Sequence, residues 1–172
     1  MLSTRGLLKF LLVVIGLGSA NVACADHLPA PTGDVILTVN GQMSLTNTPD
    51  GAALNLEMLR RIGSVTFATS TPWTDGVQQF TGLPLNQLLA HLGAEPGSMT
   101  VSAINEYQVK VPGSDAVEGG PILAWDQGGK LLSVRDKGPL WLIYPFDSKV
   151  EYQREEIHAR AVWQVVQIDL LP

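Results

Sequence analysis

The stretch FTGLPLNQLLAHLG, residues 80–93, changes character halfway along. Gly82-Leu83-Pro84 reads as a turn that leads into a helix, because proline presets the backbone angle of a first helical turn. Leu85, Leu88, Leu89 and Leu92 then fall on one helical face, and Gly93 supplies a stop. A short helix with one leucine stripe must bury it against something larger, and the flanking sequence offers a sheet.

Upstream, DVILTVNG (34–41) is β-branched and ends in an Asn-Gly turn signal, and SVTFATS (64–70) is strand-like. Between them LNLEMLRRIG (54–63) places Leu54, Met58 and Ile62 at helical spacing. Downstream, residues 99–104 and 107–111 read as strands around Asn105-Glu106. PILAWDQGGKLLS (121–133) reads as a hairpin with a Gly-Gly turn, and PLWLIYP (139–145) as a buried strand. Residues 150–161 are a partly polar helical or irregular segment, and VWQVVQIDL (162–170) closes the chain as a strand. Many strands and few short helices, without βαβ alternation, imply an α+β domain with a mixed or antiparallel sheet.

The first residues read as a leader. Arg5 and Lys9 precede an uncharged run from Phe10 to Ala20, and Ala23-Cys24-Ala25 fits the small-x-small rule for cleavage before Asp26. The run is short for a membrane span, which takes ~20 residues. Ala23-Cys24 also resembles the end of a lipobox, so a lipid anchor on Cys24 is the alternative to a secreted or periplasmic protein. The expected organisation is a signal peptide at 1–25, a flexible Pro-rich lead-in at 26–33 and one domain at 34–172. Cleavage leaves 147 of the 172 residues, with 9 basic against 16 acidic side chains, a net charge of −7. That balance disfavours nucleic acid and anionic membranes, which need clustered Lys and Arg. Cys24 is the single cysteine, so the mature chain offers no disulfide and no thiolate.

Common chemical motifs are missing. No Gly-rich phosphate loop is present, and DQGGK (126–130) is a hairpin turn. His27, His91 and His158 are scattered and read as solvated or capping residues. Ser70 and Ser114 lack a nucleophile-elbow setting, and Glu155-Glu156 points two ways from a helix.

Four stretches taken in order carry a family resemblance: residues 66–94, 102–115, 122–145 and 160–170. The most specific pieces are F-x-G-L-P-L-x-x-L-L at 80–89 and DKGPLWLIYP at 136–145. Together they resemble the molybdopterin-binding domain of the sulfite-oxidase-like oxidoreductases, and more closely its short, secreted, single-domain bacterial members. The resemblance implies an α+β fold in which a pterin cofactor lies in a cleft formed by loops. It also implies that a cysteine after the TF strand, just before a tryptophan, binds molybdenum. Here that loop is ATSTPW (68–73), with Thr69 at the cysteine position and Ser70 and Thr71 beside it. A neutral hydroxyl is a poor substitute for a soft anionic thiolate. The family's phosphate contacts would fall to Lys110, Arg135, Lys137 and Arg160, and Trp141 stands where the enzymes often carry an arginine.

The candidate cofactor-facing residues are therefore Thr69, Ser70, Trp73, Asn105, Tyr107, Lys137 and Arg160. Trp73 either stacks on a ring or covers the core rim. Asn105 and Tyr107 either line the cleft or support a turn, and Arg160 either reaches the cleft or pairs with Glu156. Trp141, Tyr144 and Trp163 are expected in the core. Three functions remain open. One is a ligand-binding or sensory domain that takes a small molecule or pterin-like group, or signals to a periplasmic or membrane protein partner. Another is a molybdopterin-dependent oxidoreductase served by a separate electron-transfer partner. The last is a protein-binding module with a filled cleft.

Overall fold

The structure, a computed structural model, describes residues 27–172. The expected signal peptide and Cys24 lie outside the described residues. Among the described residues ten strands form two sheets, accompanied by three short α-helices, which is the α+β arrangement expected.

The first sheet is mixed. It contains β1 (Leu37–Asn40), β2 (Gly51–Leu54), β5 (Ser98–Ala103), β6 (Gln108–Pro112) and β10 (Val165–Leu171), in the order β2-β1-β10-β5-β6. β1 and β10 run parallel, with Val39 opposite Ile168, and the other pairings are antiparallel. The second sheet is antiparallel throughout. It runs β3 (Val65–Ser70), β4 (Val77–Pro84), β7 (Ile122–Gln127), β8 (Lys130–Leu131), with β9 (Trp141–Ile143) also paired to β7.

The helix at 85–92, α2, is built as its sequence predicts. Leu85, Leu88, Leu89 and Leu92 are buried, and Gly93 closes it in the left-handed region at φ 64°. There Ala94 N–H donates to Leu89 O at 3.0 Å, which satisfies a carbonyl the helix leaves free. The Gly-Leu-Pro step before it is not a turn, however. Residues 82–84 are the end of β4, and the strand passes straight into α2. Gly82 is required by closeness to β7: a Cβ there would lie 2.2 Å from Leu123 O.

The earlier helix, α1, spans Leu56–Ile62 and starts two residues later than its apolar spacing suggests. Asn55 caps it by accepting from Met58 N–H at 2.9 Å, and Leu54 belongs to β2. The side chain it buries fully is Leu59; Met58 and Ile62 are half-buried. The lead-in is tied down: Leu28 is buried, and the side-chain amides of Asn47 and Asn55 donate to Pro29 O and Thr32 O, each at 2.9 Å. The hairpin of β7 and β8 turns at Gly128 and Gly129, both at positive φ, as the Gly-Gly signal demands. Residues 150–160 resolve into a 3-10 turn, Val150–Gln153, and α3, Glu155–Arg160.

Candidate functional site

The ATSTPW loop leaves the end of β3 and divides in two. Thr69 has no exposed surface. Its Oγ1 accepts from Asp147 N–H at 3.1 Å and donates to Ser70 O at 3.2 Å. Ser70 gives its backbone N–H to Asp147 Oδ2 and its hydroxyl to Asp147 Oδ1, both at 2.6 Å. These donations, the Ser70 hydroxyl first, hold the Asp147 carboxyl below the ordinary carboxylate range. The Thr71 hydroxyl meets that of Thr74 at 2.8 Å and accepts from Trp73 N–H at 3.1 Å. The hydroxyl half of the loop is thus consumed by the chain itself.

Trp73 goes the other way. Its indole packs at 58–78° against Trp141, Phe146, His158 and Trp163, with ring centroids 5.7–6.2 Å away. It also lines a cavity of about 330 Å³ shared with Ala103, Asn105, Tyr107, His158, Val162 and Trp163. Three elements meet there: the loop after β3, the turn between β5 and β6, and the end of α3 with the segment behind it. The β5–β6 turn is set by Glu106 at φ 66° and by the Asn105 side chain, whose Oδ1 accepts from Tyr107 N–H at 3.2 Å. Tyr107 projects half-exposed from that turn, at 50% of its free surface.

The fold has a solved counterpart. The chain is similar to the sulfane dehydrogenase SoxCD from Paracoccus pantotrophus, at 18% identity and a TM-score of 0.59. The similarity covers 84% of this chain and 40% of that one, so the chain spans well under half the length of its structural neighbour. It is a distant relation of fold. No protein-family model and no curated protein matches the chain.

Of the seven candidate residues, the fold brings Trp73, Asn105 and Tyr107 to one cavity. Thr69 and Ser70 stand at the Asp147 contact and do not line it. Lys137 sits in a left-handed turn at φ 72°, with its Nζ 5.3 Å from the centroid of the Trp141 ring. Arg160 faces Asp115, at 2.9 Å from Oδ2 and 3.2 Å from Oδ1, and also pairs with Glu156. Tyr144 donates to the same Asp115 carboxylate at 2.7 Å. Burial and that carboxylate push the Tyr144 phenol well above its ordinary range. Arg160 is therefore half of a structural pair that ties α3 to the segment after β6.

His158 and Trp163 are the cavity residues that their sequence settings hide. His158 stands alone in a polar segment, and Trp163 lies in an apolar run that suggests core. In the fold Trp163 is 37% exposed, and His158 packs edge-on against Phe146 with centroids 4.9 Å apart. The pattern that could have marked them is aromatic spacing, since His158 and Trp163 flank the two small residues Ala159 and Ala161.

The donor set fits a protein-bound molybdenum poorly. The described residues contain no cysteine and no cluster of three or more His, Cys, Asp or Glu able to hold a metal ion. The Thr69 hydroxyl is already committed on both its donor and acceptor sides. No lysine or arginine lines the aromatic cavity to meet a cofactor phosphate.

Proposed function

We propose that this chain is an exported ligand-binding or accessory domain built on a sulfite-oxidase-like molybdopterin-binding fold, working without a bond from protein to molybdenum. The observation that carries the proposal is the cavity itself. Trp73, Asn105 and Tyr107, all nominated by the resemblance, share one loop-built cleft, while the residue at the thiolate position is sealed by Asp147. The fold similarity to SoxCD supports the scaffold half of the reading. The leader-like pattern from Arg5 to Ala25 supports export, and a periplasmic or membrane protein is the partner that would sense the occupied cleft.

The chemistry assigned is binding. A ring-lined cleft whose polar groups include Asn105, His158 and the Tyr107 hydroxyl orients a small molecule.

Metal analysis and a ligand thermal-shift screen on the purified full chain test this. The expected result is no stoichiometric molybdenum together with a melting temperature that climbs with ligand concentration. Stoichiometric molybdenum with a pterin chromophore would overturn it in favour of an oxidoreductase that passes electrons to a separate partner.

A further inference from the structure

The cavity has a composition that narrows its ligand. Trp73 and Trp163 meet edge-to-face at 73° with centroids 5.7 Å apart, and both line the cavity. His158 stands at 78° to Trp73 on another side, and Tyr107 lines the same space from the β5–β6 turn. The remaining lining is small: Ala103, Ala159, Ala161 and Val162.

No lysine or arginine lines the cavity to meet an anion. Arg160, between two lining alanines, is committed to Asp115 and Glu156. Lys137 lies over Trp141, a ring behind the cavity and not part of its wall. A sugar would need several polar partners, and beyond the ring hydroxyl and indole N–H groups the lining supplies Asn105 and His158. Asn105 already spends its Oδ1 on Tyr107 N–H. What the site does offer is the aromatic rings of Trp73, Tyr107, His158 and Trp163 in one lining that holds no lysine or arginine, and aromatic π-systems attract a cation. The surroundings favour the same sign: Glu106 is exposed beside Asn105 in the turn that lines the cavity, and the chain carries a net charge of −5.

We propose that the cleft bounded by Trp73, Tyr107, His158 and Trp163 is an aromatic cage for a small organic cation of the quaternary-ammonium class. This rests on the ligand-binding reading above and names its ligand chemistry. Desolvation strengthens the ring–cation attraction, and a methylated nitrogen fits because it sheds water more readily than a primary ammonium does.

The test uses the full chain, choline as probe and 3,3-dimethylbutan-1-ol as its uncharged isostere, with tryptophan fluorescence and thermal shift as readouts. Choline is expected to quench the fluorescence and raise the melting temperature, with the isostere binding about tenfold more weakly or worse. Tyr107 is half-exposed, so its variants leave the core untouched. Tyr107→Phe should bind as the parent does, and Tyr107→Leu should bind choline several-fold more weakly. Equal binding of choline and the isostere would overturn the cation assignment while leaving an apolar ligand cleft standing. No response to choline, with another small molecule from the screen shifting the melt, would overturn the cage alone. No response to any compound would remove both the cage and the reading beneath it.

Discussion

Ser70 clasps Asp147 with two donors at once, its backbone N–H and its hydroxyl each 2.6 Å from a different carboxylate oxygen. The clasp joins the end of β3 to the 3-10 turn Phe146–Ser148, 77 residues away. Asp147 is exposed, so each bond contributes modestly, and Asp147→Ala should cost about 1–2 kcal/mol, or ~3–6 °C in melting temperature. Calorimetry of the pair checks the size.

The same clasp carries a pH signature. The Asp147 pKa is lowered in the folded chain, so the contribution is present above the unfolded value near 3.8 and lost as pH falls through the folded one. Urea unfolding at pH 6 and pH 3 should show the parent losing more stability on acidification than Asp147→Asn does. Equal losses would mean that the carboxylate is not favoured by its hydrogen bonds.

Thr69 sits behind that contact with its hydroxyl used twice. Thr69→Val keeps the volume but leaves Asp147 N–H without its partner, at about 1–2 kcal/mol in urea unfolding. Thr69→Cys restores the thiol that the resemblance associates with molybdenum. Because residue 69 is fully buried behind Asp147 and is not part of the aromatic cavity's lining, the variant should gain no molybdenum by elemental analysis. A stoichiometric gain would show that the loop opens.

How far the sequence foretold this depends on whether an element is specified locally. α2 and the Gly128-Gly129 hairpin were legible because helical leucine spacing and a glycine turn act within about ten residues. β4 was hidden because Gly82 and Pro84 are strand-breaking types, and only the approach of Leu123 explains the glycine. β2 was hidden because GAAL has little β propensity; it is a strand through its pairing with β1. Trp73, Asn105 and Tyr107 lie in the stretches that carry the resemblance, and the fold places them at one cavity. Asp147, Asp115 and His158 reach their partners from across the chain, and no local pattern announces that.

Gly82 gives the most severe expectation. With β4 and β7 paired at this point and a bulge between Thr81 and Gly82, an added Cβ would also lie 2.5 Å from Ala124 Cα. Both neighbours are backbone and cannot swing away. Gly82→Ala should therefore cost about 3 kcal/mol or more and sharply reduce the yield of folded protein. A melting temperature within a few degrees of the parent would mean that the two strands separate easily here.

The Asp115 cluster supplies an alkaline counterpart to Asp147. Tyr144 is fully buried and donates to Asp115 Oδ2, and Arg160 holds the same carboxylate. Burial first, and then the carboxylate, raise the phenol pKa above its ordinary 10.0. Above pH ~10 the unfolded chain releases the Tyr144 proton while the folded chain keeps it, so stability falls as pH rises, at about 1.4 kcal/mol per pH unit for one proton. Tyr144→Phe removes that slope and one hydrogen bond together. It should be less stable than the parent at pH 7 by about 1–2 kcal/mol, and the gap should narrow on titration to pH 11. Parallel curves from pH 7 to 11 would show instead that the phenol titrates alike in both states, and the burial argument for Tyr144 would fail.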